Sequence, residues 1–203
     1  MMSDRTEKTR RMVGLSIFTA LVIVLQYVAS FIQPGGVSIT LALTPIVVGA
    51  AMYGLGAGAW LGGVFGAVVL VSCITGVDLG GGTLWNLNPA VTGILCLAKG
   101  ICAGLAASAV YRAVSRRGRG RAGVVCAAVV SPVVNTGMFI LALVLFFYDT
   151  LTSWALGEGY ENIVLYIFLG LAGVNFLIEL GINLVLSPIV ERVISARRKG
   201  AIW

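Results

Sequence analysis

The lysines and arginines of this chain gather in three places, and the stretches between them are apolar for far longer than a soluble core requires. The basic clusters are the N-terminus (Arg5, Lys8, Arg10, Arg11), Arg112 to Arg121, and Arg192 to Lys199. Between them lie six apolar segments, at about 12–32, 41–53, 57–75, 90–111, 122–148 and 163–191. Basic residues collect on the cytoplasmic side of a membrane, so an even number of crossings must separate each pair of clusters. Residues 12–111 therefore divide into four helices rather than three. The division falls within 41–75, which as a single helix would run about 52 Å against a hydrocarbon core of roughly 30 Å. Gly54, Gly56 and Gly58 offer the turn. The expected fold is one all-α transmembrane domain over residues 1–203, with six helices and both termini cytoplasmic.

Composition agrees with that class. Of 203 residues, 59% are hydrophobic and 11% charged, with a mean hydropathy of +1.00, far outside the soluble range. The basic start runs into about twenty apolar residues, enough to span a bilayer, so the first segment is expected to remain as a helix. A net charge of +6 raises nucleic acid as a partner, but the basic residues sit beside apolar segments and read as topology signals and contacts to anionic lipid. Cys73, Cys96, Cys102 and Cys126 lie in apolar segments without CxxC spacing, which reads as buried thiols rather than disulfides or a metal site. The absence of histidine removes histidine-ligated metals and Ser-His or Cys-His nucleophiles. No catalytic residue, metal or cofactor is expected.

Within the sixth segment, VNFLIELGINLVLSP carries Asn175, Glu179 and Asn183 four residues apart, which places all three on one stripe of a helix. A carboxylate at that depth costs on the order of 3 kcal/mol, so it should face protein or a water-filled cavity. Lys99 is the only basic residue inside an apolar segment and is the first candidate for its partner. Two readings stand: a structural ion pair between helices, or a pair that also lines a ligand site.

Depth supports the second. Lys99 is 13 residues before Arg112, Glu179 is 13 before Arg192, Asn135 is 14 after Arg121 and Gln26 is 15 after Arg11. At about 1.5 Å per residue all four fall some 20 Å from the cytoplasmic surface. They form a belt beneath the outer loops, with Asn175 above it and Asn183 below. Those loops, 33–40, 76–89 and 149–162, contain no Lys or Arg. Loop 76–89 combines three consecutive glycines with Trp85, Asn86 and Asn88, the composition of a mobile lid over a polar ligand. A tryptophan anchor at the membrane interface is the alternative, and Trp154, Tyr160 and Glu161 in loop 149–162 invite the same two readings.

Ser16 and Ala20 stand at small-xxx-small spacing in the first segment, and Gly49, Gly54, Gly58, Gly62, Gly63 and Gly66 populate the second and third. Small residues let helices approach closely in lipid, either within the chain or against a second membrane protein. The run GLGAGAWLGG lacks the GK[ST] ending of a phosphate-binding loop.

Taken together, these features resemble the substrate-binding S component of energy-coupling factor (ECF) vitamin transporters. The likeness is carried by six helices with both ends inside, a small-xxx-small first helix, the PIVVGAAMYGLGAGAWLGG hairpin, and polar residues in the fourth to sixth helices. It covers nearly the whole chain and points most closely to the riboflavin and pantothenate group. The resemblance implies a bacterial cytoplasmic-membrane protein that binds a vitamin from outside and is energised by a T component and two ATP-binding subunits. On that reading Lys99, Asn135, Asn175, Glu179, Gln26, Trp85, Asn86 and Asn88 contact the substrate, and Ser16 and Ala20 face the T component. The family usually has Ala-xxx-Ala in helix 1; here the first position is Ser16. Lys99 suits a carboxylate such as that of pantothenate, and the Asn, Gln and Glu set suits riboflavin's hydroxyls and ring edges. A stand-alone carrier and an integral membrane enzyme are the readings from other classes. Against the enzyme stands the lack of paired carboxylates, histidine or a Ser/Lys dyad in the membrane, and against the carrier the lack of inverted repeats.

Overall fold

The apolar run 41–75 breaks at one residue. Gly54 has φ +87°, a conformation that favours glycine, and it joins α2 (Leu43–Tyr53) to α3 (Leu55–Ile74) with no intervening loop. The computed structural model describes residues 4–33, 36–171 and 173–198. The remaining helices are α1 (Asp4–Ala29), α4 (Leu79–Leu87), α5 (Pro89–Ser115), α6 (Gly120–Phe146), α7 (Tyr148–Gly157), α8 (Ile163–Leu165) and α9 (Gly173–Arg198). A π-helical turn, Tyr166–Leu171, joins α8 towards α9. No strand occurs among the described residues.

Four stretches are long and apolar enough to cross a membrane: Thr6–Ala29, Leu55–Ile74, Pro89–Ser115 and Gly120–Phe146. The pair Ile163–Leu171 and Asn175–Arg192, bent by 41°, makes a fifth if taken as one span. The single sixth segment expected over 163–191 is thus broken. Helix α2, at 11 residues, is shorter than a full crossing, and residues 38–41 before it have no regular secondary structure.

Helices α3 and α5 meet through glycine. A Cβ added at Gly58, Gly62 or Gly66 would lie 2.4, 2.1 or 2.4 Å from the carbonyl oxygens of Gly104, Gly100 and Cys96 respectively. Three glycines spaced one turn apart form a flat stripe, and the two backbones touch along it, as small residues permit in lipid. These glycines serve internal packing, as does Gly49, whose added Cβ would meet Leu61 at 2.3 Å.

Two expected loops are helices instead. Asp78 Oδ1 accepts from the Gly81 N–H at 2.7 Å and caps the start of α4, so the three glycines 80–82 are buried helical residues rather than a mobile lid. Their lack of side chains lets α4 lie on α3, since a Cβ at Gly81 would stand 2.3 Å from Cys73 Sγ. Residues 148–157 likewise form a helix, α7, which buries Leu151 and Ala155. Two apolar clusters cap the molecule: Val47, Ala107, Tyr111, Val124 and Val190 at the end with the arginines, and Leu84, Leu143, Phe147, Leu151 and Tyr166 at the other. The intramembrane polar groups lie between them.

Candidate functional site

Two small cavities of about 20 and 30 Å³ adjoin each other inside the bundle and share Val37, Ser38, Thr40, Lys99 and Phe139 in their walls. Gln26, Asp78, Thr92, Cys73 and Cys96 line the first. Asn135, Asn175 and Glu179 line the second. Residues from α1, α5, α6 and α9 that are far apart in sequence thus surround one polar chamber.

The α3–α5 contact positions its cation. Lys99 precedes Gly100, and the close helix approach there brings Phe65 under it, with the Nζ 5.9 Å from the Phe65 ring centre and 5.2 Å from that of Phe139 on α6. The expected ion pair with Glu179 is not formed: no nitrogen–oxygen contact within 4.0 Å joins the two side chains. The ammonium rests on the two aromatic faces instead. Glu179, 4% exposed, faces Thr40 and Asn135, while Lys99 acts on it only across the chamber.

The stripe on α9 divides into two parts. Asn175 and Glu179 face the chamber, whereas Asn183 accepts from Thr44 at 2.9 Å and donates to the Glu179 backbone oxygen at 2.9 Å, tying α9 to α2. On the far side, Gln26 Nε2 donates to the Ile39 oxygen at 3.3 Å and Asn175 Nδ2 to the Val37 oxygen at 3.1 Å. Those two bonds orient both amides. Their oxygens, with Thr92 Oγ1, Asn135 Oδ1 and Glu179 Oε2, are buried and have no hydrogen-bond partner among the described residues.

Three of the expected site residues lie elsewhere. Trp85 is half-buried against the apolar core of α3 and α5. Asn86 is exposed, and the exposed Asn88 caps α5 by accepting from the Val91 N–H at 3.2 Å. Once 79–87 is helical, these side chains are carried away from the chamber. Trp154 does face a cavity, an outer one of about 340 Å³ shared with Leu79, Thr83, Glu158 and Tyr166, and Val37 lines this cavity as well as the inner two. Ser16 and Ala20 are exposed on the outer face of α1, away from the chamber.

Sequence reasoning missed Ser38, Thr40, Asp78, Thr92 and Phe139. The two hydroxyls of VSIT beside an apolar run were the available signal for polar contacts there, and Asp78 three residues before Gly81 was the signal for a helix cap.

A family model matches nearly the whole of this arrangement: the ECF transporter, substrate-specific component, over residues 10–191. The chain belongs to that family. It is therefore a membrane-embedded substrate-binding subunit of a transporter, and the chamber lies within the matched residues of this S component. No curated protein and no solved structure shows significant similarity to it.

Proposed function

We propose that this S component captures a small water-soluble vitamin or precursor, such as riboflavin or pantothenate, in the chamber around Lys99, Asn135, Asn175, Glu179 and Gln26. One observation carries the reading: five buried side-chain oxygens without a partner surround a single ammonium. A buried polar group left unpaired costs about 1–3 kcal/mol, so a ligand that donates hydrogen bonds here recovers that cost site by site. An acceptor or carboxylate on the same ligand complements Lys99.

The remaining pieces follow from this role. Uptake is driven by a T component and two ATP-binding subunits, because the chain carries no phosphate-binding loop of its own. The protein crosses a bacterial cytoplasmic membrane six times with both termini inside. Helix α2 completes its crossing with the irregular residues before it, and such backbone is tolerated at that depth because it is enclosed by protein. The bent α8–α9 pair makes the sixth crossing.

Mass spectrometry of small molecules retained by the purified protein tests the proposal. A vitamin-sized polar compound at about one per chain is expected, with weaker retention by Lys99→Met and Glu179→Gln. Recovery of lipid alone, together with no thermal stabilisation by any vitamin, would overturn it. Copurification of a T component and ATPases separates this reading from a stand-alone carrier or an enzyme.

A further inference from the structure

Residues 37–40 cross the chamber as irregular backbone, and each of the four faces a polar group of its wall. The Val37 oxygen accepts from Asn175 and the Ile39 oxygen from Gln26, at 3.1 and 3.3 Å. Between them the Ser38 hydroxyl donates to Asp78 Oδ2, and the Thr40 hydroxyl faces the Glu179 carboxyl. The carbonyls of Val37 and Ile39 thus alternate along the segment with the hydroxyls of Ser38 and Thr40. The free space left beside it, about 20 and 30 Å³, is room for little more than a water on each side, since one water needs about 10–15 Å³. Pockets for vitamin-sized ligands run to about 300 Å³ or more, so substrate and segment cannot occupy the chamber together.

We propose that Val37–Thr40 is a tethered stand-in for the substrate, and that the groups it faces describe what the substrate carries: at least two hydroxyl donors, for Asp78 and Glu179, and two carbonyl-type acceptors, for Gln26 and Asn175. The inference rests on the chamber being the substrate site. It adds the chemical class, a polyhydroxylated compound bearing carbonyl groups, and a mechanism of competition. The segment pairs the Gln26 and Asn175 amide nitrogens and one Asp78 oxygen when no substrate is bound, and substrate binds by displacing it towards the outer cavity, which Val37 already lines. Lys99, which makes no hydrogen bond to the segment, is left to receive a further acceptor or an anion.

A lid that closes over bound substrate would behave in the opposite sense, so the sign of one effect decides. Riboflavin, pantothenate, biotin and lumichrome, the last being the riboflavin ring system without its hydroxylated chain, are titrated against wild type and Ser38→Ala/Thr40→Val. The stand-in requires that a hydroxylated compound bind best. It also requires that the double variant bind that compound at least tenfold more tightly, because the competitor has lost both of its donors. Preference for biotin or lumichrome, or unchanged or weaker binding by the variant, would overturn it. Should the variant fail to fold, hydrogen exchange on wild type gives the same decision. The Ile39 N–H, bonded to the Ile32 oxygen at 3.1 Å, should lose protection when riboflavin or pantothenate, whichever binds, is saturating, and a gain in protection would refute displacement. Full binding by Lys99→Met/Glu179→Gln would instead show that the chamber is not the substrate site, an outcome separable from failure of the stand-in alone.

Discussion

Gly62 of α3 and Gly100 of α5 touch backbone to backbone: a Cβ on either would stand 2.1–2.2 Å from the carbonyl oxygen of the other. The relationship matters for function because Lys99 immediately precedes Gly100, and its ammonium reaches the Phe65 face only while the two helices stay this close.

Gly62→Ala should therefore lower stability by about 1–3 kcal/mol, the usual cost of overpacking, and weaken substrate binding as well. Gly137→Ala in α6, where an added Cβ meets nothing within 4 Å, is the control. It should be neutral or stabilising by up to about 1 kcal/mol, since glycine is a poor helix former. Thermal melts in detergent, with ligand titration, distinguish the two.

The absence of a direct Lys99–Glu179 contact predicts a particular double-mutant cycle. Breaking a contacting buried pair from one side costs about 3–5 kcal/mol, most of which the double mutant recovers. Here Lys99→Met and Glu179→Gln should be nearly additive in stability, with a coupling below about 1 kcal/mol, because the side chains interact only across the chamber. Substrate binding should nevertheless fall at least tenfold in each single variant, about 1.4 kcal/mol. Near-complete recovery of stability in the double mutant would show that the two groups pair directly.

Asp78 has two tasks, one oxygen for the α4 cap and one for Ser38. Asp78→Ala should cost about 1–2 kcal/mol through loss of the cap and loosen both α4 and the segment through the chamber. Asp78→Asn keeps an acceptor for the Gly81 N–H and should retain most of the stability. Circular dichroism melts of the pair, compared with hydrogen exchange at 79–87, check this.

On α1, Ser16→Trp and Ala20→Trp add bulk to an exposed face far from the chamber. Each should abolish uptake in cells while leaving ligand affinity and the melting temperature of the isolated protein unchanged, because a bulky ring there blocks close approach of a partner helix. Parallel loss of binding and uptake would return the face to internal packing.

What the sequence determined is local or one-dimensional. The membrane class, a break among Gly54, Gly56 and Gly58 and the stripe of Asn175, Glu179 and Asn183 follow from transfer free energy, glycine's backbone freedom and the helical repeat, none of which needs a neighbour in space. Even the common depth of Gln26, Lys99, Asn135 and Glu179 comes from counting along the chain. The tertiary structure alone decided which groups those residues meet. Glu179 faces Thr40, and Lys99 rests on Phe139 and Phe65, because the glycine contact of α3 and α5 and the inward path of residues 37–40 set those distances. The Asn175–Val37 bond joins residues 138 apart, and no periodicity encodes such a pairing. Residues 79–87 read as a mobile loop because glycine is a poor helix former in isolation. In the folded protein the same glycines let α4 lie against Cys73, and packing with the Asp78 cap outweighs the propensity.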